Sequence, residues 1–237
     1  MRVEMDGNGD IVSRLQEHHG RVVIESLRKF RWRYTTLSSD CSDLMSLRQR
    51  HRNVITDEEQ QLRERGYLFE VERRLHHYLS GFYTFAQIVK TLRDGVSSEC
   101  DNKIGQRKGS FGDEKSVRLI FGLRHYIQHE NVLPVKWRDS SLNDRSEVIL
   151  LTKDLHRNEG YKRGFDSHYG HLDEPLFNPF AVVEQSWNHT EQLHEDVVSI
   201  IINDAGEDIS EYNELVKDFK HIIEEVQQDL LESVEDS

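Results

Sequence analysis

Apolar residues recur at every third and fourth position along most of the chain, a spacing that places them on one face of an α-helix. The clearest run predicts a helix of about 35 residues, opened near Thr56 by a capping box with Glu59 and ending near Asp94-Gly95. Its apolar stripe consists of Leu68, Val71, Leu75, Leu79, Phe82, Ala86 and Val89.

Further helices are predicted on both sides of this one. We expect helices over residues 11–32, then from about residue 37 to a break near Asn53, and over 112–131, 179–203 and 209–231. Residues 1–10 and 96–113 are rich in polar residues and glycine, and we interpret them as a frayed tail and a loop. Between Leu133 and Lys153 the pattern alternates with period two around the turn-like LNDR, which predicts a β-hairpin.

The predicted fold class is therefore all-α, a helical bundle with a small inserted β-hairpin. We expect one compact domain built from five segments. They are an N-terminal helical region with a basic segment (1–55), a central helical hairpin (56–132), the β-hairpin (133–155), a linker loop (156–178) and an acidic helical hairpin (179–237).

Composition excludes several classes of protein. Of the 237 residues, 36% are hydrophobic and 31% are charged, which is typical of a globular helical protein and not of a disordered one. No apolar run approaches the roughly 20 residues of a membrane helix, and the N-terminus lacks a secretory signal, so we expect a cytoplasmic protein without a membrane partner. Cys41 and Cys100 are far apart and lack metal-ligand spacing, which predicts two reduced thiols.

The net charge of −12 is distributed unevenly. Residues 20–53 carry eight basic and three acidic side chains, whereas residues 184–237 carry sixteen acidic side chains against Lys217 and Lys220. Such blocks are usual on solvated helix faces. The alternative is a phosphate-facing side with Trp32 and Tyr34 interleaved, whose candidate RNA-binding residues are Arg28, Lys29, Arg31 and Arg33.

One helix carries the strongest chemical signal. In residues 112–131, Arg124 falls within a stripe formed by Val117, Ile120, Phe121 and Ile127, where a guanidinium is costly unless it finds a carboxylate, a phosphate or carbonyl groups. At 100° per residue, His125 and His129 lie on a separate strip about 100° around the helix.

An arginine followed by a polar residue and then by a histidine late in a bundle helix resembles the motif of the HEPN superfamily of helical ribonucleases and RNA-binding proteins. The matching residues are Arg124, His125 and His129 in LRHYIQH; RRLHHYLSGFYTF and the helix containing Trp187 are also similar, so the resemblance covers residues 57–232. It implies a metal-independent endoribonuclease without a cofactor, in which Arg124 holds the scissile phosphate, His129 exchanges the proton and His125 supports either role. It further implies a homodimer, and a toxin or defence system with an antitoxin partner.

Other interpretations of the same residues stay open. Comparable Arg–His spacings occur at Arg14, Arg118 and Arg163, and only the bundle context favours Arg124, which is otherwise a structural arginine near a surface histidine. A second functional hypothesis is a non-catalytic helical dimer that binds RNA or a protein partner.

Metal chemistry is the main rival to the ribonuclease hypothesis. His125 and His129 are four residues apart, as are Glu72 and His76, and Glu191 and His194 have the Glu-x-x-His spacing of di-iron bundles. That class needs two such elements, whereas one is present, so no metal site is predicted. The linker 156–171 mixes aromatic and basic residues that either clamp single-stranded RNA or pack onto the bundle.

Overall fold

The computed structural model describes residues 6–51, 60–92, 96–130, 132–140, 145–155 and 176–235. The predicted fold class is confirmed: helices dominate, with one small antiparallel sheet. In chain order the elements are α1 (Asp6–Glu17), α2 (His19–His51), α3 (Gln60–Thr91), α4 (Ser98–Asp113), α5 (Lys115–Glu130), β1 (Val135–Ser140), β2 (Arg145–Leu151), α6 (Thr152–Leu155), β3 (Leu176–Phe177) and α7 (Pro179–Glu235).

The first two helices differ from the sequence-based boundaries. Residues 6–10 are helical instead of frayed, the chain breaks at His18, and α2 runs without interruption through the break expected between Trp32 and Leu37. The hydroxyls of Thr35 and Thr36 donate to the carbonyls one turn earlier, which satisfies these polar side chains inside the helix. The expected break near Asn53 and the capping box at Thr56 lie outside the described residues.

The loop expected over residues 96–113 is a helix, and that prediction was wrong. Ser97 caps α4 by accepting from the backbone N–H of Cys100, and it donates to Asp204 on α7. Cys100, Ile104 and Phe111 form one buried face. The spacing of these three residues is helical, but the glycines and polar residues between them hid it.

The predicted hairpin is confirmed and is extended by a third strand. β1 pairs with β2 in antiparallel register, so that Trp137 lies opposite Val148, and β3 adds to the other edge of β2. Most of the predicted linker, residues 156–175, lies outside the described part of the chain.

Helix α7 joins the two helices predicted over 179–203 and 209–231. Pro179 occupies its first turn as predicted, where Asn178 Oδ1 accepts from the backbone N–H of Phe180 at 2.9 Å. The helix kinks at Ala205, whose φ of −111° and ψ of 15° depart from helical values, instead of ending there.

The core forms where α2, α3, α5 and the first part of α7 pack together. Phe30 of α2 stacks on Phe85 of α3 with 5.2 Å between ring centroids. Tyr78 is fully buried, and its hydroxyl is 2.9 Å from Ser186 Oγ on α7. In the described ranges, no helix is both long and apolar enough to cross a membrane.

Candidate functional site

A groove of about 510 Å³ opens between α3 and the neighbouring helices α4 and α5. Its polar lining includes Arg118, Arg124, His125 and Gln128 from α5 and Gln87 from α3, with Asp113 at the end of α4. The structure therefore brings two arginines and a histidine from one helix to the wall of a single open cavity.

Arg124 is held against an aromatic ring of α3. Its guanidinium carbon is 4.3 Å from the centroid of the Tyr83 ring, a cation–π distance. Its side chain is half-buried, whereas the neighbouring stripe residues Val117, Ile120 and Ile127 are buried. Arg124 thus lies at the edge of the apolar stripe and not inside it, which corrects the helical-wheel placement.

The partners of Arg124 decide whether its guanidinium can bind a ligand. It forms no ion pair with a carboxylate in the described part of the chain, and its contact with Tyr83 is made to the aromatic ring. A guanidinium presents five donors in a planar fork that matches a phosphate or carboxylate. The guanidinium at this groove therefore retains its capacity to bind an oxyanion.

The floor of the groove is apolar and anchors α5. Phe121 packs edge-on against Phe82, with 5.4 Å between centroids, and against Tyr83 at 6.5 Å. Leu123 on the opposite side of α5 is fully buried. These contacts fix the rotation of α5 about its axis, and that rotation turns Arg124 and His125 toward the cavity.

His129 falls in the last turn of α5, one turn after His125. Its backbone is described, but its side chain lies outside the described residues. The predicted trio is therefore placed in part: Arg124 and His125 share the groove, and a meeting of His129 with them stays a prediction.

The basic segment of α2 forms a different surface. Arg28, Lys29 and Arg31 are exposed, and Arg33 lies over the ring of Trp32 at 4.4 Å. Trp32 itself is 60% exposed, which is unusual for so large an aromatic side chain. We name these five residues the α2 basic face.

The candidate metal ligands are dispersed. Among the described residues, no three His, Cys, Asp or Glu side chains cluster at a spacing suited to a metal ion. Glu72 and His76 line a small surface depression beside Phe69. His194 instead stacks on Tyr34 with 3.9 Å between centroids, and burial lowers the pKa of its imidazole.

Sequence reasoning missed the α3 side of the groove. Tyr83 follows the buried Phe82, and Gln87 comes four residues later, so both lie on one edge of the α3 stripe. A polar residue one turn from an aromatic residue was the available signal. It does not identify α5 as the partner helix, about 40 residues further along the chain.

No family model matches the chain, and no curated protein or solved structure matches it either.

Proposed function

We propose that this protein is a metal-independent endoribonuclease whose α3–α5 groove holds a phosphate of RNA. One observation carries the proposal: Arg124 is positioned on Tyr83 at an open groove, beside His125, without a carboxylate partner in the described residues. An ion pair would neutralise this arginine. A stacked and unneutralised guanidinium is instead oriented for an oxyanion.

The reaction requires only groups of these types. A base removes the proton from the RNA 2′-hydroxyl, and the oxygen attacks the adjacent phosphorus. The bond from phosphorus to the 5′-oxygen breaks, and an acid returns a proton to that oxygen, which leaves a 2′,3′-cyclic phosphate and a free 5′-hydroxyl. His129 serves as base or acid because the ordinary histidine pKa is near neutrality, and His125 serves as its counterpart.

Arg124 stabilises the charge that develops on the phosphoryl oxygens during attack. A bidentate guanidinium contact strengthens as this charge grows, so it lowers the barrier as well as aiding binding. Tyr83 keeps the planar guanidinium in one orientation, and Arg118 adds a second positive charge to the groove wall. In a homodimer with two α5 helices facing each other, each groove would gain the motif residues of the partner.

The test is cleavage of a single-stranded RNA oligonucleotide in excess EDTA, with the product ends identified by mass spectrometry. The expected product carries a 2′,3′-cyclic phosphate. His129→Ala and His125→Ala should each lower the rate by about 100-fold or more, the usual contribution of one acid or base. His221→Ala is the matched control, because His221 is exposed on α7 far along the chain from the groove residues.

Arginine variants separate binding from folding. Arg124→Lys keeps the charge and loses the fork, so it should reduce cleavage about 10-fold or more while preserving the melting temperature. Pure protein that cleaves no RNA, or His129→Ala protein that cleaves as fast as the wild type, would refute the catalytic assignment.

A second candidate function is supported by the α2 basic face. Exposed tryptophan beside clustered basic residues is a surface on which nucleic-acid bases stack and phosphates pair, and it requires no catalysis. Trp32→Ala should then weaken RNA binding by about 1–3 kcal/mol, the usual contribution of one stacked base. Phe69→Ala is the control, because Phe69 is 67% exposed on α3 and the arginines that follow it, Arg73 and Arg74, are both paired with Glu70. Equal affinity of the two variants would exclude Trp32 as a stacking platform.

A further inference from the structure

The part of α7 after the kink at Ala205 carries a heptad pattern. Apolar residues alternate at spacings of three and four, which is the pattern of a two-stranded coiled coil. In heptad notation, position a is occupied by Ile209, Val216, Ile223 and Leu230, and position d by Tyr212, Phe219 and Val226.

The junction between α1 and α2 contacts the beginning of this segment. His19 Nδ1 is 2.8 Å from Asp208 Oδ2, and His18 Nε2 is 3.7 Å from Glu211 Oε2. The ring of His18 also lies 5.8 Å from that of Tyr212. These contacts hold α7 against the start of α2 just after the kink, and the heptad pattern continues beyond them.

Further along, the apolar seam is exposed. Ile223 is 40% and Val226 is 45% exposed, and they are adjacent a and d positions on one face. Residues 206–235 extend over roughly 45 Å at 1.5 Å per residue. A helix of this length with an uncovered apolar seam gains free energy when a second apolar seam covers it.

The distribution of charge indicates which partner fits. Although the C-terminal segment is strongly acidic, the acids from Glu211 to Glu235 occupy the outer positions b, c and f, apart from Asp229 at position g, so none lies at a seam position. In a parallel pair, position g of one helix meets position e of the next heptad on its partner. Those pairs are Leu215 with Lys220, Ile222 with Gln227, and Asp229 with Val234, so no two like charges oppose each other.

We propose that two copies of this chain associate through a parallel, two-stranded coiled coil formed by residues 216–230 of α7. Within this segment two of the residues at position a, Val216 and Ile223, are β-branched, and β-branched residues at this position favour two strands in the parallel arrangement. The seam is distinct from the α5 contact of the proposed ribonuclease dimer, and it does not depend on catalysis. Because it spans about two heptads, the association should be weak and concentration-dependent.

The test is the mass of the full-length protein by sedimentation equilibrium over a series of micromolar concentrations. The wild type should approach twice the chain mass as concentration rises. I223D/V226D places two charges in the seam and should be monomeric throughout. H221D/Q228D adds the same charge at two f positions and should dimerise like the wild type. Circular dichroism checks that both variants keep their helix content.

Cross-linking tests the parallel arrangement. V226C should form an intermolecular disulfide with its own copy under mild oxidation, because in-register parallel helices bring identical d positions together. Q228C should not. The native thiols compete little, since burial raises the pKa of Cys41 to about 12 and that of Cys100 to about 11.

Each other outcome overturns the proposal. A wild type that is monomeric at every concentration excludes the seam. A dimer that persists in I223D/V226D belongs to another surface, of which α5 is the first candidate. A dimer that is lost in I223D/V226D but does not cross-link through V226C contradicts the parallel register.

Discussion

Gly20, near the start of α2, packs against the backbone of α7, and replacing it with alanine should destabilise the protein. An added Cβ at this position would be 2.2 Å from the backbone oxygen of Asp208 and 3.0 Å from Cβ of Tyr212. A nonbonded carbon does not approach an oxygen so closely, and a backbone oxygen cannot rotate away as a flexible side chain can. The two helices would have to separate by about 1 Å, which would also lengthen the contact of His19 with Asp208.

The magnitude follows from two opposing effects. Alanine in place of glycine within a helix gains up to about 1 kcal/mol, and overpacking of a tight contact costs about 1–3 kcal/mol or more. Because the obstacle is backbone, we expect the upper part of that range and a net loss of about 1–2 kcal/mol. For a chain of this size the melting temperature should fall by about 2–8 °C.

The matched control is the same substitution at a helical glycine in open space. Nothing lies within 4 Å of the Cβ that alanine would add at Gly66 or Gly105, so Gly66→Ala and Gly105→Ala should each raise stability by about 0.5–1 kcal/mol. Thermal and urea unfolding of the three variants measure the sign directly. If Gly20→Ala melts at or above the wild-type temperature, the close approach of α2 and α7 is wrong.

Two further predictions concern charge. Burial lowers the pKa of His194 below its ordinary value of 6.5. As the pH falls below 6.5, the histidine of the unfolded chain binds a proton while that of the folded chain stays neutral. The free energy of unfolding therefore decreases as the pH falls. His194→Phe keeps a ring against Tyr34 and Phe30 but cannot titrate, so urea unfolding at about pH 7.5 and about pH 5.5 should show a smaller loss than in the wild type. On the α2 basic face, replacing the basic residues by serine should weaken RNA binding and flatten its salt dependence, because fewer counterions are released; unchanged binding would make this face merely solvated. The residues to replace are Arg28, Lys29, Arg31 and Arg33.

The fold class followed from the sequence because the long helices are amphipathic. The apolar stripe predicted for α3 is largely buried, and the alternation that predicted the hairpin agrees with the register of β1 and β2. Both patterns are local, since each depends on one face meeting the core. Helix α4 was not predicted because two glycines, Gly105 and Gly109, lie between the buried Ile104 and Phe111. Glycine within a run of residues argues against a helix.

The candidate site was less accessible to prediction, because a groove requires two helices. The position of Arg124 beside apolar residues identified it from a single helix. Its contact with Tyr83 depends on how α5 packs against α3, and that packing is not encoded by either helix alone. The side chain of His129 falls outside the described residues, so its assignment to the site rests on the sequence alone.

An acidic protein can still bind RNA if the acidic charge lies away from the binding surface. The net charge of −12 repels RNA at long range, but salt at physiological ionic strength screens charges beyond about 8 Å. Inside that distance, the arginines proposed to bind RNA, in the groove and on the α2 basic face, would attract a phosphate, whereas the acids of residues 206–235 lie on a helix that extends past the kink. At low salt the repulsion reaches further and offsets part of the attraction. The salt dependence of RNA binding should therefore be shallower than the number of phosphate contacts implies, and it should steepen if acids on the outer positions of α7 are replaced by glutamine.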